Sequence, residues 1–223
     1  MPDVKLIITS DGSHSLLNEA LNETYHSVHG AIQESQHVFI NNGLRYFLES
    51  TSSDHLSIFE VGFGTGLNTL LTLKAMENAT TFVRYVAVES FPIGEELWTS
   101  LNYARVLRME ATFANLHRSS WEMLNQITAH VALIKRQTTL QAIELEMQSF
   151  DVVYFDAFAP SKQPELWAID ILRKVIDAMK FNGVFVTYCA KGQLKRDLKA
   201  LGLRVETLPG PPGKKEMVRA IKM

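Results

Sequence analysis

After a polar break at "TSSDH" (residues 51–55), short apolar runs alternate with stretches whose apolar residues recur at helical spacing. The strand-like runs are Leu56–Val61, Phe82–Val88, Val131–Lys135, Asp151–Phe155, Val184–Tyr188, Leu203–Thr207 and Met217–Ile221. The helical stretches fall at Gly66–Met76, Gly94–Ala104, Pro164–Met179 and Gln193–Leu201. Such alternation predicts right-handed crossovers and a doubly wound, mostly parallel sheet of the α/β class. The last two strands differ. Only "LPGPPGKKE" joins them, too short for a helical crossover, so they are expected to pair antiparallel.

The first 50 residues follow another pattern. "VKLIITSDGSHSLLN" holds two strand-like pieces around Asp11-Gly12, a good hairpin turn. "AIQESQHVFINNGLRYFLES" places Ile32, Val38, Phe39, Leu44, Phe47 and Leu48 at mostly helical spacing, with an expected interruption at Asn41-Asn42-Gly43. This predicts a segment over residues 1–50 that covers a pocket, followed by the sheet domain over 51–223.

Composition narrows the class. The chain has 223 residues, 46% of them hydrophobic, which suits one α/β domain with an added segment. No apolar run approaches the roughly 20 residues that cross a bilayer, and the N-terminus lacks the layout of a signal peptide. With one cysteine, Cys189, an internal disulfide is excluded and a cytoplasmic location is expected. Net charge is −2, unevenly spread: nine basic and three acidic residues from Val186 to Met223 leave +6 there and −8 elsewhere. A basic tail of this kind either meets a polyanion such as RNA or forms a solvated helix face.

The candidate chemistry lies at strand ends. "LSIFEVGFGTGLNTLLTL" puts Gly62, Gly64 and Gly66 between a strand and a helix, where glycines let backbone N–H groups approach a ligand. The spacing is G-x-G-x-G, not the G-x-G-x-x-G of dinucleotide folds. Glu60 precedes it. A carboxylate there repels a diphosphate but attracts the ammonium of S-adenosyl-L-methionine. The next strand ends on Glu89, placed to accept hydrogen bonds from ribose hydroxyls. The adenine partner is open, with Thr138 or Thr139 as candidates. Both acids could instead be solvated residues at strand ends. Together with the antiparallel last strand, the pattern matches the Rossmann-like class I S-adenosylmethionine-dependent methyltransferase architecture by fold analogy.

"SFDVVYFDAFAPSKQPELW" ends an apolar strand on Asp156, on the rim expected to hold Glu60 and Glu89. Methyl transfer from a sulfonium asks the protein to hold a nucleophile in line. An amine nucleophile is mostly protonated near neutrality, so a carboxylate there can attract it, orient it or take its proton. Phe158 and Pro160 could wall a flat base.

"EVGFGTGLNTLLTL", "VYFDAFAPSKQPELW", "VTYCAKGQLKRDLKALGL" and "GPPGKKEMVRA" resemble the methyltransferase domain of MnmC-type enzymes, and "SDGSHSLLNEALNETYHSVHGAIQESQHVFI" resembles the N-terminal segment of its stand-alone, MnmD form. The resemblance covers about Ile7 to Ala220. It implies N-methylation of 5-aminomethyl-2-thiouridine at the tRNA wobble position, with S-adenosyl-L-methionine as cofactor and the anticodon loop as partner. The FAD-dependent oxidase of the fused enzymes is not expected here, nor is a membrane or metal partner. By the family's motif, Asp156 would stand at the substrate amine, and Glu60, Gly62, Gly64, Gly66 and Glu89 would hold the cofactor. Lys191, Lys214 and Lys215 would reach the same rim, near anticodon phosphate or base. Tyr25, His26, Glu34 and Ser35 are candidate pocket liners. His26 and His29 are close in sequence, but no third metal ligand has convincing spacing.

Two rival readings remain at this level. Cys189, where the family pattern usually has serine, could be the nucleophile of a 5-methylcytosine RNA methyltransferase. That class usually carries a Pro-Cys after the fourth-strand acid, whereas this chain has Ala-Pro-Ser after Phe158. Alternatively the chain binds S-adenosylmethionine or RNA without catalysis, against which the intact set of Glu60, glycines and Asp156 argues.

Overall fold

The structure is a computed structural model and describes residues 4–223. Strands β1 (Val4–Ile8) and β2 (His14–Asn18) form the expected antiparallel hairpin. Gly12 turns it at φ +80°, and the Asp11 carboxylate accepts hydrogen bonds from Thr9 Oγ1 at 2.7 Å and Ser13 N at 2.9 Å. Glu23–Thr24 adds a short third strand, β3, that the pattern did not announce.

The expected break at Asn41-Asn42-Gly43 does not occur. Helix α1 (Ala31–Ser35) runs into a π-helical segment (Gln36–Arg45) and on into α2 (Tyr46–Ser50). The i→i+5 spacing of a π-turn brings Val38, Phe39, Ile40, Gly43 and Leu44 to one buried face. Gly43 belongs to that face for a packing reason. A Cβ there would lie 2.8 Å from Val186 Cγ2 and 3.3 Å from Tyr154 Cε1, so glycine lets the helix lie flush on the sheet.

The main domain runs β4 (His55–Val61), α3 (Leu67–Ala75), β5 (Phe82–Val88), α4 (Glu95–Ser100), α5 (Tyr103–Leu107), α6 (Glu110–Arg118), β6 (Leu124–Gln126), β7 (Val131–Arg136) and β8 (Phe150–Phe155). A 3₁₀ turn (Pro164–Trp167) then leads into α7 (Ile169–Ala178), β9 (Met179–Thr187), α8 (Gly192–Ala200), β10 (Leu203–Pro209) and β11 (Glu216–Lys222). The eight strands are ordered β10-β11-β9-β8-β4-β5-β7-β6. Pairs β4–β5, β4–β8, β5–β7 and β8–β9 are parallel, and β11 is antiparallel to both β9 and β10, as the short last connection required.

Some boundaries differ from the sequence expectation. The helix expected over Gly94–Ala104 is broken at Leu101-Asn102. The Asn102 side chain there accepts from His14 N at 2.8 Å and donates to Gly12 O at 2.9 Å, tying the N-terminal hairpin to the domain. Helix α6 and the edge strand β6, antiparallel to β7, were not foreseen. The helix expected from Pro164 begins as a 3₁₀ turn, because Ala168 has extended backbone.

Two apolar cores cover the sheet faces. One joins Val38, Phe39, Ile40 and Leu44 of the π-segment to Leu70, Tyr85 and Tyr154; the other joins α7 and α8 to Phe59, Phe155 and Phe185. The chain leaves β4 toward β5 on one side and later places β8 on the other. Strand order therefore reverses between β4 and β8, the point where such sheets open a ligand crevice. Among the described residues, no helix is long and apolar enough to cross a membrane.

Gly43→Leu is expected to lower stability by about 1–3 kcal/mol through overpacking against Val186, more than the ~1 kcal/mol that leaving glycine returns in helix propensity. Equilibrium urea unfolding measures it, and a Cm at or above that of the parent would remove the packing account of Gly43.

Candidate active site

A cavity of about 830 Å³ opens at the switch point. Gly62 (φ +87°) and Gly64 (φ +50°) line it, with Glu89, Asp156, Phe158 and Lys214. From the N-terminal segment, Tyr25, His26 and Glu34 also line it. The structure thus brings together six of the eleven site residues expected from sequence, from four separate stretches of chain.

The glycine loop is set by backbone geometry. Gly62 N and Phe63 N donate to Val88 O at 3.0 and 3.1 Å, bending the chain over the end of β5. Asp156 N donates to Val61 O at 3.0 Å, which carries the β4–β8 ladder one residue past the strand end. A Cβ on Gly62 would lie 2.6 Å from Asp156 O, so only glycine permits this approach. Gly66 (φ +73°) lies outside the cavity lining. It starts α3, and a Cβ there would meet Leu116 Cδ2 at 2.8 Å.

The three acids have distinct surroundings. Glu89 accepts from Gly64 N and Phe91 N, both at 2.9 Å, with its carboxylate at the cavity edge. Asp156 Oδ2 accepts from Asn68 Nδ2 at 2.8 Å. Burial, with help from the nearby Glu34 charge, pushes its carboxyl up to about 7, against the lowering effects of the Asn68 hydrogen bond and Lys214. Glu60 departs from expectation. It does not face the cavity but lies fully buried beneath the loop, where Oε2 accepts from Tyr85 OH at 2.9 Å and Thr69 Oγ1 at 3.0 Å. Strand alternation explains this: Glu60 shares the face of Ile58, which packs under α3, while Phe59 and Val61 take the other side. Burial pushes its carboxyl up to about 8, and Oε1 has no hydrogen-bond partner.

The segment after β8 is held at three points. Tyr188 OH donates to Ala157 O and Trp167 Nε1 to Phe158 O, both at 2.8 Å, and Lys162 N donates to Ala159 O at 2.7 Å. Pro160 shapes the turn but lies outside the cavity lining, so it is not a wall of the pocket. Phe158 is a wall, and the Tyr25 ring meets it edge-on at 5.1 Å between centroids. Glu34, buried, takes an ion pair from Lys214 and a hydrogen bond from Ser27 N at 2.9 Å. Lys214 Nζ also lies 3.9 Å above the Tyr188 ring, so its ammonium belongs to the cavity wall. Lys191 and Lys215 are exposed and outside the lining. Lys195 pairs with Glu216 at 2.8 Å.

Other expected liners move. Ser35 is buried outside the cavity, and the cavity reaches Leu140 rather than Thr138 or Thr139. His26 is held neutral: burial takes its imidazole down to about 4, and Nε2 bonds Thr65 Oγ1 at 2.7 Å. No cluster of three or more potential metal ligands occurs among the described residues. Cys189 packs in the α7–α8 core outside the cavity, its thiol pushed up by burial. Sequence reasoning missed Asn68 and Tyr188. Asn68 follows the glycines in helical register and Tyr188 follows β9, positions that carry no signal until the fold sets them against the segment at Asp156 and Ala157.

A family model described as S-adenosyl-L-methionine-dependent methyltransferase matches residues 98–223. The chain belongs to this family. Among curated relatives, the "tRNA 5-methylaminomethyl-2-thiouridine biosynthesis bifunctional protein MnmC" of Burkholderia multivorans is 30% identical over 98% of this chain and 35% of its own length. The protein of the same description from Cupriavidus metallidurans is 29% identical over 96% of this chain and 33% of its own. The methyltransferase chain thus spans about a third of the curated relatives it matches. A crystal structure of MNMC2 from Aquifex aeolicus shares the fold, with a TM-score of 0.81 at 24% identity over 100% of this chain and 71% of that one.

The parts present suit the cofactor of the family. Two glycines at positive φ expose backbone to the cavity, and the Glu89 carboxylate stands at its edge, beside Gly64. Because folding raises the Glu60 carboxyl from 4.5 to about 8, the ligand-free protein binds an extra proton between these values and loses stability as pH rises through that window. Glu60→Gln is expected to flatten that loss, with the part due to Asp156, raised from 3.8 to about 7, remaining. Denaturant unfolding from pH 4.5 to 8.5 tests this, and identical slopes in both proteins would contradict the burial account.

Proposed function

We propose that this methyltransferase transfers a methyl group from S-adenosyl-L-methionine to the aminomethyl nitrogen of 5-aminomethyl-2-thiouridine at the tRNA wobble position. The carrying observation is the Asp156 carboxylate on the floor of an aromatic-walled cavity, beside the glycine loop. The description of the curated relatives, which names 5-methylaminomethyl-2-thiouridine biosynthesis, supplies the product.

The cofactor supplies a methyl group already activated on a sulfonium. Gly62 and Gly64 would hold it through their backbone, and Glu89 would accept from its ribose hydroxyls. Glu60 would act from beneath the loop, tying α3 to β5 through Thr69 and Tyr85, and Gly66 would hold the loop against α6. Asp156 would draw in the substrate ammonium and take one of its protons, freeing the nitrogen lone pair for in-line attack. Phe158, braced edge-on by Tyr25, would offer a stacking face to the base, since RNA readers stack splayed single-stranded bases on aromatic rings. Lys214 is positioned for the base, and the exposed Lys191 and Lys215 for anticodon phosphates. Residues 4–50 serve as the cover that delivers Tyr25, His26 and Glu34 to the cavity.

Purified protein with S-adenosyl-L-methionine is expected to add one methyl group to tRNA bearing 5-aminomethyl-2-thiouridine, read by nucleoside mass spectrometry. No mass gain on fully modified substrate tRNA would sink the proposal. Asp156→Ala should retain cofactor affinity by calorimetry while losing about 10²–10⁴-fold in kcat; equal loss of both would mean Asp156 serves the cofactor. In the parent, kcat/KM should rise with pH through about 7 as the Asp156 carboxyl ionises. Cys189→Ser should keep full activity, since the thiol lies outside the cavity.

A further inference from the structure

Asp156 ends a strand in a place that works against its own chemistry. It needs to be ionised to accept a proton, yet burial and the Glu34 carboxylate both favour the protonated acid; the Lys214 ammonium works the other way, and Glu60 beneath the loop and Tyr188 after β9 also feel its charge. One neutral group opposes burial and Glu34 by direct contact. Asn68, in the first turn of α3, is 2% exposed, lines the cavity, and donates its Nδ2 to Asp156 Oδ2 at 2.8 Å. Its own Oδ1 is buried and without a partner. That asymmetry fixes the amide: the flipped rotamer would set an acceptor against the carboxylate, an arrangement only a protonated Asp156 could satisfy.

We propose that Asn68 is a positioning residue for the methyl acceptor: its amide holds Asp156 Oδ2, keeps the carboxylate ionised, and leaves Oδ1 as the oxygen that meets the substrate ammonium. This rests on the methyl-transfer reading given above. The proton balance is simple. The ammonium gives one proton to Asp156 Oδ1 and becomes a neutral amine. The amine lone pair forms the new N–C bond as the S–C bond breaks and its electron pair returns to sulfur. The nitrogen ends as a secondary ammonium, and the proton on Asp156 leaves to solvent. The Asn68 amide stays bonded to Oδ2 throughout, so the carboxylate plane does not rotate while Oδ1 is protonated.

Geometry makes Asn68 well suited to this. The helix that begins at Leu67 is fixed by the glycine loop, so the amide is set by the same backbone that lies beside the cofactor position. The neighbouring Thr69 carries the hydrogen bond to Glu60, and Thr72 Oγ1 is bonded to Asn68 O at 2.8 Å. The donor is thus anchored in a buried polar layer rather than on a mobile surface.

The test uses ligand-free full-length protein, so that it does not depend on the substrate assignment. The side-chain carboxyl carbon of Asp156 is followed by ¹³C NMR from acid to neutral pH, assigned by its loss in Asp156→Asn. In Asn68→Ala the Asp156 midpoint is expected to move up by about one pH unit or more, the loss of one hydrogen bond to a charged acceptor. Asn68→Asp, which keeps the size of the side chain and places a like charge on the same contact, is expected to move it up further, and serves if the alanine variant does not fold. An unchanged or lowered midpoint in the folded variants overturns the proposal, whatever happens to activity. With substrate tRNA, the rising limb of kcat/KM should shift in the same direction and KM for S-adenosyl-L-methionine should stay within about twofold; a fall in rate with no shift of the limb also overturns it. If the parent methylates no tRNA, the function reading fails while the NMR midpoint still decides the role of Asn68.

Discussion

The site depends on one close approach. The ends of β4 and β8 come near enough that a Cβ on Gly62 would stand 2.6 Å from the Asp156 carbonyl oxygen, and the ladder bond from Asp156 N to Val61 O holds them there. From this contact the glycine loop bends over β5, Glu89 meets Gly64 N, and α3 starts with Asn68 pointing at Asp156. Had the strands parted by the width of a methyl group, the acid and the loop would face different spaces. The glycine serves the protein twice, by adopting φ +87° and by leaving room for another backbone.

Electrostatics then divides the acids by depth. Glu60 and Asp156 both have carboxyls raised by burial, and each also feels a nearby carboxylate: Asp156 in one case, Glu34 in the other. Glu34 differs, because Lys214 reaches it from the loop between β10 and β11. A cavity with more buried acids than cations is built to receive positive charge. A sulfonium cofactor with an ammonium, and the proposed ammonium substrate, would supply that charge, and each would ease ionisation of the acids it meets. The same imbalance is expected to make the ligand-free protein less stable at higher pH.

The N-terminal segment contributes walls rather than an independent layer. Its hairpin is tied by Asn102 and Tyr103, the latter donating to His14 O at 2.7 Å, and its long helix shares the core with α3 and β8. The π-turn and Gly43 are what let that helix lie low on the sheet, and so carry Glu34 to the cavity. Neutral His26 bonded to Thr65 links the segment to the glycine loop itself.

The alternation of apolar runs and helical spacing determined the parallel sheet, its antiparallel last pair and the rim on which the chemistry sits, because periodicity reports which faces are buried. "FDAFAP" and the glycine loop determined that an acid would stand beside a ligand-binding turn. Its position just before the glycines placed Glu60 on the rim, whereas strand alternation puts it beneath the loop, and a string of residues cannot show that Pro160 turns away while Phe158 turns in. Asn68, Tyr188 and the Glu34–Lys214 pair were decided by tertiary structure alone. Their partners lie 88 positions away for Asn68 and 180 for Glu34, and contacts at such separation follow from how the layers pack, not from any local pattern.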